Sequence, residues 1–117
     1  MLFSESQYKL FLEGLEGCSP SLVWAAMEAK SFGKPDFSYK DKQDYFLEFL
    51  ELLLKNGRIK LAKHGEFLAG TIDEQLTRFR VAFPETEEEL YDGLWFVFEE
   101  CPGGIVWILE SGELYWT

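Results

Sequence analysis

Apolar residues recur at helical spacing in most of the chain and alternate only near its middle and its end. Tyr8, Phe11, Leu12 and Leu15 form one stripe, opened by the pair Ser4 and Gln7, which has the spacing of a capping box. Ser19-Pro20 marks a second helix start, with proline at the first position, where its missing N–H costs nothing. Leu22, Val23, Ala26 and Met27 then share one face, and Trp24 falls off it. Gly33 and Pro35 break the chain. A third helix is predicted from Lys40 to Asn56, with Tyr45, Phe46, Phe49, Leu50 and Leu53 facing a core. Asp44, Glu48, Glu51 and Lys55 form its wet face, and Asn56-Gly57 stops it.

"RIKLA" reads as a strand that turns Arg58, Lys60 and Ala62 to one side and Ile59 and Leu61 to the other. "HGEFLAG" is a turn region. Thr71 and Glu74 have capping-box spacing before a stripe of Ile72, Leu76, Phe79 and Phe83, and Pro84 ends that helix. Thr86 and Glu89 repeat the pattern, with Leu90, Tyr91, Leu94, Trp95 and Phe98 as the expected inward stripe of a fifth helix.

The last block, "IVWILESGELYWT", reads as a β-hairpin about a two-residue Ser111-Gly112 turn. That turn pairs Glu110 with Glu113, Leu109 with Leu114, Ile108 with Tyr115 and Trp107 with Trp116. Ile105, Trp107, Leu109, Leu114 and Trp116 then share a wholly apolar face that helices must cover. Val106, Ile108, Glu110, Glu113, Tyr115 and Thr117 share a mixed one. With the strand at 58–62 this makes a three-stranded sheet. The expected fold is α+β: about five helices packed on a small antiparallel sheet that ends in a C-terminal hairpin.

Length agrees with one domain over residues 1–117. A chain this size buries roughly 65% of its unfolded surface, so it stands without disulfides or metal. Aromatic residues make up 17% of it, which points to a dense aromatic core. Cys18 and Cys101 form no disulfide framework and are expected to be inert thiols. "MLFSESQYKLFLEG" has neither the basic start nor the apolar run of a signal peptide. "LWFVF" and "IVWIL" fall far short of the roughly 20 residues that span a bilayer. A cytoplasmic protein without membrane attachment is expected.

Charge divides the chain. Residues 1–80 hold all 11 Lys and Arg against 12 acids, a net of −1. Residues 81–117 hold nine acids and no Lys or Arg, a net of −9. These are Glu85, Glu87, Glu88, Glu89, Asp92, Glu99, Glu100, Glu110 and Glu113. Glu87 and Glu88 also sit where a helix dipole welcomes carboxylates. A surface of this sign steers a cationic protein and repels nucleic acid, whose recognition needs clustered Lys and Arg. The nine acids with Tyr115 are therefore the candidate protein-binding residues.

No catalytic residue is predicted. His64 is the only histidine, too few for a histidine metal site, and no zinc, phosphate-loop or nucleophile-elbow motif occurs. No cofactor is expected. A winged-helix-like regulator is an alternative, although the helix from Thr71 offers only Arg78 and Arg80. A small enzyme or ligand-binding protein is another. The free edge of the hairpin also offers a route to homo-oligomers.

"KNGRIKLA", "TIDEQLTRFRVAFPETEEEL" and "LWFVFEECPGGIVWILESGELYWT" resemble a family of small bacterial proteins of unknown function, a DUF-type family, over most of residues 40–117. The shared motifs are a turn, a helix cap and a hairpin. More loosely, the size, acidity and aromatic content are similar to immunity proteins of bacterial polymorphic-toxin and contact-dependent inhibition systems. That resemblance implies a cytoplasmic, non-enzymatic protein that binds and blocks a basic toxin domain.

Overall fold

Three helices begin with reciprocal caps, those at Ser4 and Thr71 as expected and one at Ser38 that was not. Ser4, Ser38 and Thr71 accept hydrogen bonds from the backbones of Gln7, Asp41 and Glu74, whose side chains answer on the cap N–H groups. In the computed structural model, which describes residues 1–117, they open α1 (Glu5–Leu15), α3 (Tyr39–Lys55) and α4 (Ile72–Ala82). Between them lie α2 (Pro20–Ala26) and a 3₁₀ turn, Ala29–Ser31. A fifth, 3₁₀-type helical segment spans Glu87–Val97. The strands are β1 (Ile59–Lys63), β2 (Glu66–Phe67), β3 (Gly104–Ile108) and β4 (Leu114–Trp116).

All strand pairs are antiparallel, in the order β2-β1-β3-β4. The fold is α+β, with one more strand than expected. The extra strand arises because His64 and Gly65 both take left-handed backbone, at φ 53° and 77°. That is the geometry of a tight two-residue hairpin turn, and it folds Glu66 back beside Lys63.

The central helix is as its stripe foretells. Tyr45, Phe46, Phe49, Leu50 and Leu53 are buried in the main core with Ile59, Leu61, Ile105 and Trp107 from the sheet. Trp107 is completely buried, and its indole N–H donates to the Cys18 carbonyl at 2.9 Å. On one side of α3, Phe32 stacks on Tyr45 with ring centres 3.9 Å apart. There Glu48 Oε2 accepts from the backbone of Leu2 and Phe3, at 2.6 and 2.8 Å, and holds the Phe3 ring in the cluster. On another side of the same turn of α3, Trp24 packs on Phe46, Phe83 and Phe96. Val23 and Met27 are buried as the stripe of α2 predicts, but Trp24 is also a core residue and Leu22 is exposed, so the buried face is turned from the expected one. The seven-residue α2 is oriented by its packing on α3 and on the 3₁₀ segment rather than by its own stripe.

The C-terminal hairpin forms one residue out of the expected register. Its loop has three residues, Glu110 to Gly112. The Gly112 N–H donates to the Leu109 carbonyl at 2.8 Å and the Leu109 N–H to the Glu113 carbonyl at 2.9 Å. Gly112 takes a φ of 88°, which a glycine adopts without strain. The pairs are therefore Val106 with Trp116, Trp107 with Tyr115 and Ile108 with Leu114. A one-residue slip moves every side chain of a strand to the other face. Trp107 stays in the core, while Trp116 and Leu114 stand on the outer face of the sheet. There the Trp116 ring stacks on Phe67, at 5.6 Å between centres and 8° between planes. Phe67 pairs beside Ala62 and Trp116 beside Val106. Ala62 and Val106 are buried yet stand outside the main core. The aromatic pair forms a small second apolar cluster with them on the outer face.

Candidate binding surface

Residues 85–100 do not continue as a regular helix. Thr86 gives no backbone cap, and its hydroxyl donates instead to Glu89 Oε1 at 2.9 Å. The helical turn from Glu87 is interrupted by three consecutive left-handed residues: Tyr91 at φ 49°, Asp92 at 55° and Gly93 at 96°. Aspartate and glycine tolerate this region. A tyrosine there costs roughly 1–2 kcal/mol. Gly93 seats against α2, where an added Cβ would stand 3.0 Å from the Ser21 Cβ.

The break re-aims the side chains. Leu90, Trp95 and Phe96 turn inward, while Tyr91, Leu94 and Val97 are 62%, 54% and 77% exposed. The inward stripe expected for a fifth helix is therefore wrong at Tyr91 and Leu94. The Asp92-Gly93 dipeptide, a turn former, is the signal in the sequence that marks the break.

Around these apolar side chains the carboxylates fall into two sets. Glu87 lies 3.6 Å from Lys42, whose ammonium also sits 5.0 Å from the centre of the Trp24 ring. Glu99 lies 3.6 Å from Lys63 and 3.1 Å from His64 Nε2. The His64 hydrogen bond, followed by the charge of Lys63, holds the Glu99 carboxyl below its ordinary range. The Lys63 ammonium also donates to the carbonyls of Glu99 and Cys101, and so fixes the end of the segment to β1. Glu85, Glu88, Glu89, Asp92 and Glu100 are exposed and have no cationic partner.

The other candidates lie apart from these. Glu110 and Glu113 are exposed at the hairpin loop, also without cationic partners. Glu113 is four residues, about 13 Å along an extended strand, from Thr117. It is the Trp116–Thr117 end of β4 that meets the acidic segment, across an open cleft of about 310 Å³ shared with His64, Val97, Phe98 and Glu99. Tyr115 follows Trp107 to the inner face, where its ring edge reaches Gly17. The candidate residues therefore make two surfaces, one on 85–100 and one on the hairpin.

Neither surface assembles a nucleophile with a base. The Cys101 thiol is buried and its Sγ lies 3.5 Å from the Gly103 carbonyl oxygen. Burial pushes its pKa from 9.0 up to about 11. Keeping the thiol neutral stabilises the fold below about pH 9. That stabilisation is lost as pH rises toward 11, so melting temperature is expected to fall across this window. At neutral pH a thiol reagent should modify the part-exposed Cys18 and spare Cys101 until the protein unfolds, an order that mass spectrometry of the labelled protein reads directly.

No group of three or more His, Cys, Asp or Glu side chains is arranged to hold a metal ion. No helix is long and apolar enough to cross a membrane. On α4, Arg80 pairs with Asp44 at 2.9 Å and Arg78 donates to the Ala69 carbonyl at 2.6 Å.

A family model described as "protein of unknown function, DUF596" matches residues 54–117. The chain belongs to this family. The match takes in β1 to β4, α4 and the broken 3₁₀ segment, so both candidate surfaces lie within the DUF596 region. The resemblance to small bacterial proteins of unknown function is thereby established. A solved structure titled as an uncharacterized protein conserved in bacteria, from Neisseria meningitidis, superimposes with a TM-score of 0.79 at 24% identity. The alignment covers 96% of this chain and 88% of that one, and it shows that the two share a fold. No curated protein matches the chain.

Proposed function

We propose that this DUF596 protein is a non-enzymatic binding protein that engages a basic protein partner through residues 85–100. The observation that carries the reading is the left-handed break at Tyr91–Gly93. It turns Tyr91, Leu94 and Val97 outward among Glu85, Glu88, Glu89, Asp92 and Glu100, none of which has a cation beside it. Protein interfaces are built this way, with aromatic and aliphatic anchors inside a polar rim. The strain at Tyr91 is expected at a functional site, where the backbone is held in a costly form to present a side chain. Unpaired carboxylates around the anchors raise the rate at which a cationic partner arrives.

The concrete form of this function is an immunity protein that neutralises a basic toxin domain. The test is capture of the partner from the native host, repeated over a salt series. A basic partner whose association slows as salt rises supports the reading. A neutral or acidic partner, or salt-independent binding, overturns it. Glu88→Lys with Glu89→Lys is expected to slow association by about tenfold or more. Both side chains are exposed, but Glu89 accepts the Thr86 hydroxyl and both stand in the first turn, so the same variant should cost no more than about 1–2 kcal/mol and stay folded.

A further inference from the structure

The sheet offers a second docking surface, on β4. In β4 the bonds to β3 fall on alternate residues. The Glu113 carbonyl accepts from Leu109 and the Thr117 N–H donates to Ile105, so Tyr115 faces β3 as well. Leu114 and Trp116 therefore aim their N–H and C=O groups away from the sheet, at an edge that no other strand covers. Their side chains stand on the outer face, where Trp116 stacks on Phe67, and all three are between 43% and 48% exposed.

The two sides of this edge differ in charge. On the outer face, the Lys60 ammonium lies 5.0 Å from the centre of the Phe67 ring. On the inner side the edge carries Tyr115 and the unpaired Glu113, with Glu110 in the adjoining loop. We infer that β4 accepts an extended segment of a partner protein by strand addition, and that this segment alternates apolar and basic residues.

The register follows from the pleat. Partner residues opposite Leu114 and Trp116 place their side chains on the outer face, where Phe67 and Trp116 reward apolar groups and Lys60 repels cations. The residue between them points to the inner side, where Glu113 and the Tyr115 ring receive a lysine or arginine. Area argues against a second copy as the occupant. Phe67, Leu114, Tyr115 and Trp116, each about half exposed, offer on the order of 400 Å², against about 800 Å² per partner in a stable interface. A net charge of −10 on each copy opposes self-association as well. The inference does not depend on the surface at 85–100.

The experiment uses the full chain and two short peptides, one alternating valine with lysine and one alternating valine with glutamate. Amide exchange is read residue by residue by NMR. The lysine peptide is expected to slow exchange at Leu114 and Trp116 while leaving residues 85–98 unchanged. Leu114→Pro removes an N–H that faces away from β3, and Trp116→Ala removes the shelf. Each is expected to weaken binding by about tenfold or more. The Glu88→Lys, Glu89→Lys variant should bind the peptide as the parent does, which separates this site from the surface at 85–100. Should Leu114→Pro fail to fold, N-methylation of the peptide at its bonding positions makes the same test on the parent protein and should abolish binding. The inference is overturned by failure of the lysine peptide to bind, by equal binding of the glutamate peptide, or by indifference to N-methylation. It is also overturned by protection at 85–98 instead, or by concentration-dependent protection of Leu114 and Trp116 without peptide, which would place a second copy on the edge.

Discussion

Trp107→Ala is expected to lose about 3–5 kcal/mol of stability, a large part of the 5–15 kcal/mol that holds a typical domain together. Trp107 is fully buried between the sheet and the helices. Its removal opens a cavity that the rigid strands on either side cannot close. It also strands the Cys18 carbonyl, which accepts the indole N–H at 2.9 Å. Urea denaturation should show a markedly lower midpoint, or no cooperative transition at all. Trp107→Phe restores most of the volume but not the donor, and should cost about 1–3 kcal/mol. Trp116→Ala is the control for the register. Its ring is 48% exposed on the outer face, so its loss should cost about 1 kcal/mol. Equal losses at the two tryptophans would mean that both stand in the core and that the hairpin pairs one residue differently.

Gly103→Ala is expected to destabilise by about 1–3 kcal/mol through overpacking. A Cβ at Gly103 would stand 2.8 Å from the Ala62 carbonyl oxygen and 3.3 Å from its carbon. Both are backbone atoms in the middle of the sheet, where Ala62 is paired with Gly104, so neither side yields without parting β1 from β3. Thermal melting measures the loss, and faster amide exchange confined to β1 and β3 would locate it. Gly14→Ala should have the opposite sign. That glycine lies within α1 with nothing within 4 Å of a new Cβ, and alanine there should add about 0.5–1 kcal/mol.

The contrast between these glycines shows what sequence pattern conveys and what it does not. Caps at Ser4 and Thr71 and the stripe from Tyr45 to Leu53 were legible because each depends on residues within a few positions of one another. Trp24 was not, because α2 is too short to set its own orientation and takes it from α3 and the 3₁₀ segment. The hairpin register turned on whether the loop is the pair Ser111-Gly112 or the three residues Glu110 to Gly112, a difference of one residue with consequences for the whole of β4.

The candidate surface was half legible. Its charge can be counted directly. Which acids remain unpaired cannot, since Lys42 reaches Glu87 and Lys63 reaches Glu99 only through the folded chain. Tyr91 and Leu94 match a helical stripe, yet the backbone obeys the turn former Asp92-Gly93, which periodicity alone passes over.

The placement of the four tryptophans gives the molecule a built-in optical probe. Trp24, Trp95 and Trp107 are at most 5% exposed, whereas Trp116 is about half exposed and lies flat against Phe67. A dissolved collisional quencher such as iodide can reach one indole and is shut out from the other three. Quenching of the native protein should therefore plateau with most of the emission intact, and the quenchable fraction should vanish in Trp116→Phe. Intrinsic fluorescence then reports on the outer face of β4 alone, with no label attached and with the buried indoles as an internal reference.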